Sequence, residues 1–444
     1  MNELKKILCI IFVFMSTLFA EAKTVYDKPD VSILQLFNKG KSKYIIQYVH
    51  QFRDTLRVPY GCEIQFEGGQ LCGPIVFDNT TLSGNVRLQG SSIRGRVSNS
   101  SFNASWLCAM DGVSDDALCI NEIINVCDNV FFPRGIYRLI SVYNTKGQLP
   151  KSYESEIRTH IGINKSNVSL MGEEGTTFIS DNPICIISLF SQPYSIDQSI
   201  SNIQIRNIVF DALNDGESFN EFAHIIRLVG VKGLLIKGCT FNRFWGDAIS
   251  FSHYGDTPVT GERTRNQDVK VINNFFWGGE HHNNRNAISI VSGQNVLIKK
   301  NVFRRISRSD MPGVIDIEPN NSAYTIDKIR IERNEIDECF GMIGAIGIQF
   351  LYEGTSGKRI KVLSNIIRRS SYGLGIAIGK GSVTSDFVIK KNIVFGDTRP
   401  YMFYRDGNSI NWIISGNKFE MKSCQDIPGA IKVRNLIVNH NKQP

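Results

Sequence analysis

Two acids stand two positions apart in the run Val314-Ile-Asp316-Ile-Glu318. The alternating Val and Ile give it strand character, and alternate residues of a strand share one face, roughly 6.5–7 Å apart. Both carboxyls therefore project from the same side. Adjacent like charges are costly unless a proton, a cation or a ligand relieves them, so the pair marks a candidate site. Polar groups gather in nearby segments: Asp247, His253-Tyr254, Glu280-His281-His282-Asn-Asn-Arg285, Arg308-Ser-Asp310, Gln349 and Lys380.

Three kinds of chemistry fit these residue types. β-Elimination at a uronate needs its carboxylate neutralised, a base for the carbon-bound proton and an acid for the leaving oxygen. Arg285 or Arg308 can neutralise, with a Ca2+ ion held by Asp316 and Glu318 as a further option. His282 or His253 is then the base and Tyr254 the acid. Arg308, His281, Asp310, Gln349 and Lys380 complete a substrate-binding set. Hydrolysis needs two carboxyls instead, and Asp316 and Glu318, with Asp247 or Asp310, supply candidates. A separation of about 7 Å is nearer the inverting range than the retaining one. The third option is glycan binding without catalysis, for which a repetitive scaffold suffices.

What positions these residues is a repeat. Asn207, Cys239, Asn274, Asn301, Asn334, Asn365, Asn392 and Asn417 each follow a short apolar strand and precede another apolar residue. The steps between them are 32, 35, 27, 33, 31, 27 and 25 residues. A repeat of this length built from short strands marks a solenoid, whose units bury their apolar sides only by stacking. The apolar runs alternate with period two, as in Ala248-Ile-Ser-Phe251, Ala287-Ile-Ser-Ile290 and Ile346-Gly-Ile-Gln-Phe350, so the coils are β rather than helical. Asn at a sharp corner bonds the backbone and tolerates the left-handed region, and stacked coils bring successive amides within reach of each other. The later strand of each coil points Ile249, Ile288, Ile315, Ile348 and Ile376 inward. It points Ser250, Ser289, Asp316 with Glu318, Gln349 and Ala377 outward.

Composition narrows the setting. The chain has 444 residues and a net charge of +8, which favours anionic partners. Lys5 and Lys6 precede an apolar run from Ile7 to Phe19 and a small-residue site at Ala20-Glu-Ala22, the pattern of a cleaved export signal over residues 1–22. No later segment reads as a membrane span. The mature protein is expected in the periplasm or outside a bacterium, where nucleic acid is an improbable partner and an anionic polysaccharide fits. Nine cysteines remain after Cys9, and an odd number leaves one unpaired. Cys62 with Cys72 and Cys119 with Cys127 are conceivable bridges, whereas Cys185, Cys239 and Cys339 read as buried coil residues.

Upstream, Ser114-Asp-Asp116 precedes a run in which Leu118, Ile120, Ile123 and Ile124 can form one helix face. Then Val130-Phe-Phe-Pro-Arg-Gly-Ile-Tyr-Arg-Leu139 reads as strand, turn and strand. This stretch resembles the entry of the pectate-lyase superfamily, where a helix caps a right-handed parallel β-helix and a Phe-Pro-x-Gly-x-Tyr strand pair opens the coils. The resemblance implies an all-β right-handed parallel β-helix over residues 106–444, behind an irregular β-coil region at 23–105. It also implies a carbohydrate groove along the later strand and its loops. The polygalacturonase pattern is not present: there is no Gly-His-Gly and no Asn-Thr-Asp, although Arg359-Ile-Lys361 resembles that family's basic tripeptide. The primary expectation is an exported polysaccharide lyase acting on an acidic polymer such as pectin, alginate or a glycosaminoglycan. A glycoside hydrolase stands second.

Overall fold

The computed structural model describes residues 23–143, 158–191, 199–217, 219–253, 265–395, 399–420 and 437–439. The expected export segment and Tyr254 lie outside them, as does residue 431, where a closing strand is expected from sequence. The chain divides into two compact units, residues 1–102 with 125–127, and 103–124 with 128–444. In the first unit, strands Thr24–Tyr26, Lys43–Ile46, Glu63–Phe66 and Pro74–Gly84 pair in parallel, with Leu56–Arg57 and Ser92–Val97 beside the last. Residues 23–50, which look featureless as sequence, therefore supply strands of this sheet. Asp27 is buried there and accepts the backbone N–H groups of Gln47 and Tyr48, while His50 Nε2 lies 2.8 Å from it.

The second unit is a right-handed parallel β-helix. Its three long sheets contain eleven, fifteen and nine strands among the described residues, and neighbouring strands in them run parallel. Successive coils pair strand on strand, so residues one coil apart fall in register. One such column is aromatic: Phe178, Phe210, Phe241, Phe276 and Phe303 are all buried, and successive rings lie 5.6, 5.4, 4.7 and 4.7 Å apart. Ile336 and Ile367 continue it.

The corner amides form the expected ladder, with one shift. Asn274, Asn301, Asn334, Asn365, Asn392 and Asn417 are buried, and each amide nitrogen donates to the next side-chain oxygen at 2.9–3.1 Å. That oxygen also accepts the backbone N–H of the coil before it. The left-handed residue is the one preceding the ladder Asn: Asn273, Lys300, Arg333, Ser364 and Lys391 have φ between 53° and 58°. Asn207 belongs to this left-handed set, with φ 56°, and Ile208 occupies the ladder column there. Cys239 does sit in the column, its N–H on Asn274.

The capping helix spans Ala117–Val126, with Ala117, Ile120, Ile123 and Ile124 buried and Leu118 turned to solvent. Asp115 accepts the Ala117 N–H, as a cap should, but Asp116 is buried and accepts from Ala109 and Met110 instead. Cys119 is bridged to Cys108 rather than Cys127, and Cys62 and Cys72 are free thiols, because the helix start packs against residues 108–110. Cys185, Cys239 and Cys339 are buried in the coils as expected.

Candidate active site

The nine-stranded sheet carries the site. Its strands are β1 Thr159–Ile163, β2 Cys185–Phe190, β3 Ile226–Val229, β4 Ile249–Phe251, β5 Ile288–Ile290, β6 Gly313–Ile317, β7 Gly344–Phe350, β8 Tyr372–Ile378 and β9 Arg399–Arg405. Ile249, Ile288, Ile315, Ile348 and Ile376 all point into the core. The outward column runs Ser188, Arg227, Ser250, Ser289, Asp316, Gly347 and Gly375 across β2 to β8. Gln349 and Ala377 stand one step further along their strands, and Gln349 reaches back to donate to Asp316 at 3.1 Å. Neighbouring strands lie about 4.8 Å apart, so this column is a ruler along the coil axis.

Loops fold over β3 to β6 and leave a cleft of about 220 Å³. It is lined by Glu221, Phe222, His224, Arg227, Asp247, Ser250, Ser252, His253, Arg285, Ser289, Asp316 and Glu318, among others. Of the residues proposed from sequence, the structure brings together Asp316, Glu318, Asp247, His253 and Arg285.

The carboxyls are buried and differ in proton affinity. The Asp316 and Glu318 carboxyls act on each other: Glu318 raises the proton affinity of Asp316, and Asp316 lowers that of Glu318. Burial, and then the charge of Glu318, push the Asp316 carboxyl well above the usual carboxylate range. Burial also raises Glu318, against the pull of the Asp316 hydrogen bond and Arg285. Asp247 is pushed up to about 6 by burial, opposed by Arg285 and by the Ser289 hydroxyl, which donates to it at 2.6 Å. Ser289 therefore touches Asp247 on one side and is paired in register with Asp316 on the other.

The cations differ too. Arg285 is ion-paired to Glu221 at 2.5 Å, and its Nε lies 3.9 Å from Asp247. Burial works against its charge, but Asp247 and Glu221 outweigh that and hold it above its ordinary value. Arg227 is 7% exposed, and its Nε and Nη1 have no hydrogen-bond partner among the described residues. His224 is buried and accepts the Asp247 N–H at Nδ1, which puts its proton on Nε2. Burial, then Arg227 and Arg285, push it well below its ordinary value, so it is neutral. His253 stacks against Tyr324 with ring centroids 3.6 Å apart.

Several sequence candidates lie elsewhere. His282 is exposed on its Gly/Asn loop and does not line the cleft. His281 holds a neighbouring loop: its Nδ1 accepts the Asn283 N–H, and its Nε2 contacts the Asn214 carbonyl at 3.0 Å. Arg308 does not neutralise the cleft acids. It pairs with Asp310, donates to Asn283 at 2.5 Å and lies 3.5 Å over the Phe219 ring. That bond holds Asp310 below the usual carboxylate range. These three residues brace the segment that delivers Glu221, Phe222 and His224. Lys380 is exposed in the turn after β8.

His224 and Arg227 were not legible. Phe222-Ala-His-Ile-Ile-Arg-Leu-Val229 reads as one apolar run, and only alignment of Arg227 with Ser250 and Ser289 as an outward column would have singled it out. A Ca2+ ion expected on Asp316 and Glu318 would meet those two carboxyls, with Gln349 beside them. Among the described residues, no third acidic, imidazole or thiolate ligand comes within reach of an ion shared by that pair.

No protein-family profile matches this chain, and no curated protein matches it by sequence. Solved structures do resemble it. The endo-xylogalacturonan hydrolase from Aspergillus tubingensis aligns over 76% of this chain and 92% of its own, at 12% identity and TM-score 0.50. PfbA, a surface adhesin of Streptococcus pneumoniae, aligns over 77% and 90%, at 13% identity and TM-score 0.48. The family 28 exopolygalacturonase of Yersinia enterocolitica aligns over 78% and 79%, at 13% identity and TM-score 0.47. The likeness to the Aspergillus hydrolase shows a shared right-handed β-helix fold.

Proposed function

We propose that this chain is a glycoside hydrolase that cleaves an anionic polysaccharide. The observation that carries the reading is the buried carboxyl cluster: Asp247, Asp316 and Glu318 line one cleft, and burial raises the proton affinity of each. Hydrolysis needs one carboxyl protonated and another ionised at the same pH. Asp316, whose proton affinity burial raises, gives its proton to the glycosidic oxygen as the bond to the anomeric carbon breaks. Asp247, ionised above about pH 6, takes a proton from water as the water oxygen bonds to that carbon. Glu318 and Gln349 hold Asp316 in place, and Ser289 holds Asp247. Ser289 is bonded to Asp247 and in register with Asp316, so the two acids stand on different coils, and the reading expects inversion of configuration. The unpartnered Arg227 and the net charge of +8 support an anionic substrate. With residues 1–22 as an export signal, the protein meets such polymers outside the cytoplasm.

Elimination is the second reading, favoured by His253 and two arginines in the same cleft. A Ca2+ ion on Asp316 and Glu318 would belong to that route. Incubation with pectin, alginate, chondroitin and hyaluronan separates the two. Hydrolysis releases reducing ends without unsaturated product and is indifferent to chelator. Absorbance from an unsaturated uronate would select elimination.

A further inference from the structure

Arg227 and Asp316 belong to one outward column, three strand steps apart through Ser250 and Ser289. Three steps are about 14 Å along the coil axis, longer than one pyranose ring. Arg227 is over nine-tenths buried, lines the cleft, and carries two donor nitrogens without partners among the described residues. A buried guanidinium without a counter-ion is costly, and an arriving anion relieves that cost. The other arginine of the cleft already has Glu221 and so makes no comparable demand. In register on either side of Arg227 are the buried residues Ser188 and Ser250, whose hydroxyls suit the oxygens of a carboxylate.

We infer that Arg227 forms a carboxylate subsite displaced from the bond that is cut. The glycan lies along the coil axis, a uronate carboxylate docks on Arg227, and a different sugar unit is placed over Asp316. The selected charge is thus on a residue that does not react, and the sugars flanking the scissile bond can be neutral. This rests on the assignment of Asp316 to bond cleavage, but the binding half of the test does not.

Asp316→Asn protein is titrated calorimetrically with defined oligogalacturonates and with the same oligosaccharides after carboxyl reduction. The expected result is at least tenfold tighter binding of the charged form, a preference removed by Arg227→Met. Equal affinity for both forms, or a preference that survives Arg227→Met, overturns the subsite whether or not the native protein turns over. Native protein is then given partially methyl-esterified polygalacturonate, and product ends are sequenced by mass spectrometry. Esterified units are expected on both sides of the cut, with a free acid required at one fixed position further along. A free acid required at a flanking unit overturns the displacement. Charge-selective binding without turnover on any uronate polymer overturns the hydrolase reading and leaves the subsite standing.

Discussion

The arginines at the coil corners and the arginine in the cleft face opposite situations. Arg243, Arg359 and Arg369 each occupy a left-handed corner, with φ of 45°, 57° and 48°. Each sets Nε and Nη2 on an Asp of the preceding coil, Asp211, Asp327 and Asp337 respectively, always 32 residues earlier. The repeat therefore supplies the counter-ion along with the cation. Arg227 stands on the same scaffold, more deeply buried, with Nε and Nη1 unmatched. A cation completed by its own coil serves the fold. A buried one left incomplete is available to a ligand, and it accompanies the carboxyls whose proton affinity burial has raised.

That contrast can be broken by mutation. Asp316→Asn should lower kcat by about 10²–10⁴-fold, the range for loss of a general acid, with little change in melting temperature. Arg227→Met should weaken binding of a charged oligosaccharide by about ten- to a hundredfold, the worth of a charged hydrogen bond of about 1.5–3 kcal/mol. Its melting temperature should hold or rise, since an apolar side chain removes an uncompensated buried charge. A large fall would mean that Arg227 is structural. At the corner the pattern reverses. Asn334→Ala takes the acceptor from the Asn301 backbone and the donor from Ile298, and should destabilise by about 1–3 kcal/mol while kcat holds. Thermal denaturation beside initial rates checks this.

The pH profile sharpens the cleft side. Asp247 must be ionised to act as base, so the acidic limb of kcat/KM should fall near its pKa of about 6. Ser289→Ala removes a hydrogen bond that lowers this pKa, and should move the limb to higher pH. The linkage sign follows. Asp247 binds its proton more tightly folded than unfolded, so its contribution to stability falls as pH rises from about 4 to about 6 and is flat above. The smallest effect belongs to Arg359→Met. Its solvent-facing guanidinium pairs with the buried Asp327, so the loss should show as a small fall in melting temperature with activity untouched.

Much of the scaffold was legible because a repeat writes itself many times. The Asn column survives Cys239 and the displaced Asn207, since the remaining amides keep their offset from the flanking apolar residues. Asp316 and Glu318 were legible because period two alone puts both outward. Their effect on each other was not, because backbone spacing does not say how strongly burial makes two carboxyls interact. By type His282 looked catalytic and His281 substrate-binding, yet His281 braces a loop and His282 faces solvent. Arg227 was hidden by its apolar neighbours, and the partner a residue lacks cannot be read from the residues beside it.

Anomer-resolved NMR during digestion of a uronate polymer tests the central claim most directly. The account predicts new reducing ends of inverted configuration, no unsaturated uronate, and neither product from Asp316→Asn. An unsaturated product from the native protein, or undiminished cleavage by Asp316→Asn, would contradict it.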